Sequence, residues 1–96
     1  MSTARLTLLI YDIADDRRRN RLHKLLKQYG VPVQESAFEG RLTDTERTRL
    51  LEKVGAVLSQ NEDRFVMYLV PPAHEELIRV VGLPRPEIPV KTYFIV

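Results

Sequence analysis

An α+β fold in two layers is what this sequence predicts, on three observations. Two segments, Arg5 to Ile13 and Arg64 to Val70, alternate apolar residues on both faces, as strands covered on two sides do. Two others carry apolar residues at helical spacing behind capping residues. An extended stretch with a bend lies between the helices. The order of strand, helix, broken strand, helix and strand is the split β-α-β sandwich of ferredoxin-like domains, an antiparallel sheet with both helices on one face. Its other face stays bare, so a homodimer in which two sheets meet is expected.

In the first strand Leu6, Leu8 and Ile10 lie on one side and Leu9, Tyr11 and Ile13 on the other. Asp12 shares the face of Leu6, Leu8 and Ile10. A carboxylate there calls for a partner, because buried acids are paired or bound to metal. A two-fold axis between sheets would bring the two Asp12 side chains together.

The first helix starts among acids and cations. Asp15 suits the N-cap and Asp16 the positive end of the helix dipole. Leu22, Leu25, Leu26 and Tyr29 form the buried stripe, and Gly30 is the expected stop. Arg17, Arg21, Lys24 and Gln28 fall on the opposite side and Arg19 on the flank, while Arg18 falls in line with the apolar stripe and is expected to fold back towards the strand end. Such outward charges are more often a solvated helix face than ligand contacts, and both readings stay open here. His23 is placed on the solvated flank.

Val31 to Leu42 reads as extended. Pro32 marks a strand start or edge, Gln34 and Ser36 a bulge or a bend, and Gly40 is compatible with that bend. Phe38 is either a core residue or a stacking platform for a base. Thr43 to Glu46 is a capping box, opening a helix with Leu50, Leu51, Val54, Val57 and Leu58 inward. Gln60 to Asp63 is a polar turn before the Arg64 to Val70 strand. Pro71-Pro72 breaks that strand, Ala73 to Val81 is a short-helix candidate with a surface His74, and Gly82 ends it. The domain is placed at residues 1–82. Residues 83–96 form a proline-rich arm and a C-terminal strand, Lys91 to Val96, that pairs with a sheet edge of its own chain or of the partner subunit.

Composition narrows the chemistry. With 96 residues, 44% of them hydrophobic and 29% charged, one folded domain is expected. No cysteine and two separated histidines exclude a disulfide scaffold, a thiolate metal site and a histidine-rich one. No signal-peptide pattern and no long apolar run are present, so a cytoplasmic protein without a membrane span is expected. The net charge is only +2, yet six basic residues and no acid fall between Arg17 and Lys27. Such a cluster suits a phosphate backbone. No Gly-rich phosphate loop and no paired aromatics of an RNA-binding module accompany it.

The residues Tyr11-Asp12-Ile13, Asp15-Asp16-Arg17-Arg18-Arg19, Arg21-Leu22, Leu25-Leu26, Tyr29-Gly30, Val33-Gln34, Ser36, Phe38-Glu39-Gly40 and the Arg64 to Leu69 strand, in this order and spacing, resemble a known family. It is the small core subunit of the CRISPR adaptation machinery, often described as an endoribonuclease. Pro32 departs from the pattern, since many relatives carry a basic residue there. The resemblance implies a ferredoxin-like dimer whose two Asp12 residues hold a magnesium ion, with the terminal strand on the partner's sheet. It also implies a role in spacer acquisition, binding double-stranded DNA while bridging the large integrase subunits, and, in some members, cleavage of single-stranded RNA or double-stranded DNA.

Two readings follow. As a metal-dependent endonuclease, the protein would use Asp12 as metal ligand, Arg18 and Arg19 to offset charge on the phosphate, and Tyr11 to orient backbone or water. As a scaffold it would use Arg17, Arg19, Arg21, Lys24 and Lys27 on DNA phosphates, positioning the duplex without reading bases. The scaffold is the favoured biological role; an endoribonuclease acting alone on single-stranded RNA is the alternative.

Overall fold

The computed structural model describes residues 3–90. Strand β1 (Arg5–Asp12) lies inside a four-stranded sheet with β2 (Val31–Gln34), β3 (Ala37–Leu42) and β4 (Arg64–Leu69) in the order β2-β3-β1-β4, every pair antiparallel. This is the ferredoxin-like order that the sequence predicts. In register, Leu9 sits between Phe38 and Met67, and Leu8 between Glu39 and Tyr68. Because side chains alternate along a strand, the first row faces the helices and the second the opposite side.

Helices α1 (Asp16–Leu26) and α2 (Asp44–Val57) cover the first face. Leu22, Leu26, Leu50 and Val54 join Leu9, Tyr11, Ile13, Phe38 and Leu42 in one core. Each helix starts at the cap its sequence predicts. The Asp15 carboxylate accepts from the Arg18 N–H at 2.9 Å, and Thr43 and Glu46 form a complete capping box. Satisfying these otherwise orphaned donors fixes where the chain turns.

Several local expectations are corrected. Gly30 is not a left-handed helix stop; among the described residues only Gly82 has a positive φ. Instead α1 ends at Leu26, and Gly30 and Gly40 lie so close that a Cβ on either would collide with the other's neighbouring backbone, at Glu39 and Tyr29 respectively. Close approach, not turn geometry, explains both. The bend falls at Glu35–Ser36, leaving Gly40 inside β3. His23 is half-buried, its ring edge-on to Phe38 with 5.2 Å between centroids, and Phe38 is core. Leu51 points outward, 48% exposed. The helix after β4, α3 (Pro72–Glu75), is one turn rather than the expected Ala73 to Val81. Short helices need a packed apolar face, and Leu77, Val80 and Val81 have none here, all being exposed.

From α3 the chain crosses the face that the helices leave bare. Arg41 pairs with Glu75 and its Nε donates to the Ile88 carbonyl at 3.1 Å, while Arg85 pairs with Glu39. Leu6 and Ile88 are buried. Val90 forms a parallel bridge with Arg41 of its own chain. The expected strand at Lys91 to Val96 lies outside the described residues.

Candidate functional site

Asp12 is the last residue of β1 and is exposed, on the bare face beyond Leu8 and Ile10. Burial therefore does not force a partner on it, contrary to the sequence expectation, and none of the ion pairs among the described residues involves its carboxylate. What surrounds it is held firmly at the backbone. Tyr11 N–H donates to the Ser36 carbonyl at 3.1 Å, Arg19 Nη2 donates to the Ile13 carbonyl at 2.6 Å, and Ala14 N–H donates to Asp63 Oδ1 at 2.9 Å. The acid stands with an open head on a fixed stem.

Tyr11 leaves the strand on the opposite face, buried against Phe38, and its hydroxyl donates to the Glu35 carbonyl at 3.3 Å. Burial raises its pKa, Arg19 opposes the rise and Glu35 adds to it. Tyr11, Asp12, Ile13, Arg19, Glu35 and Ser36 line a shallow hollow of about 270 Å³ at the strand exit. The arginine that enters this hollow is Arg19, which also pairs with Asp16.

Arg18 does fold back, and its target is Asp63. Nε reaches Oδ2 at 2.7 Å and Nη2 reaches Oδ1 at 3.2 Å, a two-pronged pair. The Asp63 side chain is wholly inaccessible to solvent and also accepts from Ser59 N–H at 2.9 Å. The Arg18 guanidinium holds the Asp63 carboxyl far below the usual carboxylate range; burial works against this, and the Ala14 and Ser59 N–H groups reinforce it. Sequence reasoning placed Asp63 in a polar turn and missed its role. Its partners at Ala14 and Arg18 are more than forty residues away in the chain, and only its Ser59-x-x-x-Asp63 spacing before a strand hints at a carboxylate capping its own turn.

The remaining cations present themselves outward. Arg17, Arg21 and Lys24 are exposed along α1 and Lys27 follows at its C-terminal end, also exposed. With Arg18 turned in and Arg19 bound to the strand exit, the helix divides its basic residues between anchoring and display. Among the described residues no helix is long and apolar enough to cross a membrane.

Residues 5–76 match the model of the family described as CRISPR associated protein Cas2. A CRISPR-associated endoribonuclease Cas2 of Thermus thermophilus is 45% identical over 65 residues, covering 68% of this chain and 69% of that protein. Among solved structures, a hypothetical protein of Thermus thermophilus superposes with a TM-score of 0.76 at 34% identity, over 88% of this chain and 96% of the other. A chain from a partial Cas6-RT-Cas1–Cas2 complex superposes with a TM-score of 0.65 at 28% identity, over 80% of this chain and 90% of that one.

Proposed function

Because this chain belongs to the CRISPR-associated Cas2 family, we propose that it acts in spacer acquisition as a homodimer that binds double-stranded DNA and bridges copies of the Cas1 integrase. The observation that carries this reading is the display of Arg17, Arg21 and Lys24 along one exposed helix face. Cations spaced along a helix, with no carboxylate between Arg17 and Lys27, fit a line of phosphates and fix register without reading sequence. The partnership with Cas1 draws support from the similarity to a chain of a complex that holds both proteins. Dimerisation draws support from the sheet face itself. Ile10 is 37% exposed and Tyr68 53%, beside Val66, so a second sheet has apolar surface to cover.

Magnesium-dependent phosphodiester cleavage is the accompanying activity. Among the described residues no three His, Asp or Glu side chains gather to hold a metal, so a site at Asp12 would draw on a second copy of the chain. Two such carboxylates facing each other across a two-fold axis fit an ion that prefers oxygen and keeps several waters. When bound, magnesium would supply a polarised water and charge stabilisation at the phosphate. The chain's own contribution is to hold Asp12 at the strand exit, to set the Arg19 guanidinium beside the hollow, and to brace the Glu35 turn through the Tyr11 hydroxyl. Arg18 contributes by anchoring rather than by meeting the phosphate.

A second reading, an endoribonuclease acting alone on single-stranded RNA, is favoured by the name that similar Cas2 proteins carry. Asp12→Ala separates the two. Under the first reading it removes magnesium-dependent cleavage and leaves DNA binding and spacer acquisition intact; acquisition lost together with cleavage would overturn the scaffold role.

A further inference from the structure

Asp63 has no part in either reading, yet its carboxylate is fully engaged. Four donors converge on it. Oδ1 accepts from Ala14 N–H at 2.9 Å and from Arg18 Nη2 at 3.2 Å, and Oδ2 accepts from Arg18 Nε at 2.7 Å and Ser59 N–H at 2.9 Å. Ala14 belongs to the β1–α1 connection two residues past Asp12, Arg18 to the first turn of α1, and Ser59 to the loop before β4. One buried side chain therefore ties two separate pieces of backbone, and through the Arg18 guanidinium the first turn of α1, at the end of the sheet where Asp12 emerges. Cross-strand register places Asp12 opposite Arg64, the residue directly after Asp63, so the tie and the site acid lie side by side.

We propose that Asp63 is the positioning residue for Asp12: with Arg18 it fixes the β1–α1 connection, and so the place from which the Asp12 carboxylate projects towards its ligand. The inference rests on Asp12 being the site acid. Its physical basis is that loop backbone without a ladder partner moves unless a side chain satisfies it, and that a carboxylate two residues from a held amide inherits the restraint. Arg18 is needed because an unpaired buried carboxylate would take up a proton or water and release the loop.

Asp63→Asn tests this, since an amide keeps the shape but turns two N–H donors towards donors in either orientation. In the full chain, amide exchange at Ala14 should accelerate about tenfold or more, the factor that goes with losing a charge-assisted hydrogen bond. The magnesium concentration that half-saturates the shift of the Asp12 resonance should rise by about tenfold, as for other residues that orient a ligand without touching the metal. A folded Asn variant with a lower melting midpoint but unchanged Ala14 exchange and magnesium response overturns the proposal, because a residue that only stabilises would behave that way. If the variant does not fold, the wild-type chain decides: Ala14 N–H exchanging as fast as an exposed amide overturns it, as does protection that survives in Arg18→Ala, and strong protection that is lost in Arg18→Ala supports it. If wild-type Asp12 shows no magnesium response, the metal reading fails, and Ala14 exchange alone judges whether Asp63 holds the connection.

Discussion

Ile10→Asp is the sharpest test of the dimer. In one chain Ile10 is 37% exposed, so pairing can gain only about that fraction of the roughly 1.5–3 kcal/mol that full burial of such a side chain brings, or roughly 0.5–1 kcal/mol per copy. Aspartate forfeits this gain. It also places a carboxylate two residues from Asp12 on the same face, where burying a polar group without a partner costs roughly 1–3 kcal/mol. The two-fold axis doubles every change, giving roughly 3–8 kcal/mol per dimer and a dissociation constant raised by at least about a hundredfold. Repulsion among four carboxylates adds to this. The fold itself should survive, since the substituted side chain already borders solvent. Sedimentation equilibrium over a range of protein concentrations reads the association, with circular dichroism to verify folding. Leu51→Asp is the control: it is as exposed, at 48%, but lies on α2 in the opposite layer. A dimer unchanged in Ile10→Asp, or weakened equally by both substitutions, would refute the sheet-to-sheet arrangement.

Reversing charge at Arg17, Arg21 and Lys24 together should weaken duplex binding and flatten its salt dependence by about 0.9 in log–log slope for each phosphate left without its cation; filter binding at several salt concentrations measures it, and an unchanged slope would count against that helix face. Acid should destabilise the chain through Asp63, held below its usual pKa chiefly by Arg18, and through Glu75, held down chiefly by Arg41. A depressed folded value means that the folded chain binds fewer protons than the unfolded one, so this stability is complete above roughly pH 4.5 and drains away as pH falls below it. Urea unfolding between roughly pH 5 and pH 3 should show a shallower pH dependence in Asp63→Asn than in wild type; equal slopes would mean that Asp63 is not held low.

The fold was legible because its determinants are local. Period-two alternation in Leu6 to Ile13 and in Phe65 to Leu69, caps at Asp15 and Thr43, and the stripe Leu22, Leu25, Leu26 each specify an element within a few residues. Asp12 was legible for the same reason, since its place at the end of an apolar strand is visible in the pattern. Gly30 misled because a glycine after a helical stripe reads as a stop, whereas its use depends on Gly40, ten residues on and one strand over. Arg18 was half legible: helical periodicity turned it inward, but nothing near it names Asp63 as its acceptor. The segment after Pro72 failed in the opposite sense. Its helical propensity is real, and tertiary packing that would extend it is missing.

That same segment bears on why the acids should converge. The arm closes over the Leu6 end of the bare face, held by Glu75 on Arg41 and Arg85 on Glu39, with Ile88 buried beneath. The covered end is also where β1 begins, while Ile10, Asp12, Val66 and Arg64 occupy the other. Among the described residues, a second sheet approaching this chain therefore finds its apolar contacts from Tyr68 in mid-sheet to Ile10 and Val66 towards the strand exit. In the proposed dimer, a two-fold axis displaced from the covered end towards this half of the sheet would shorten the distance between the two Asp12 residues. On this argument the arm would select the register of the proposed dimer, and a meeting of two Asp12 carboxylates would follow from which half of the face the chain has already covered for itself.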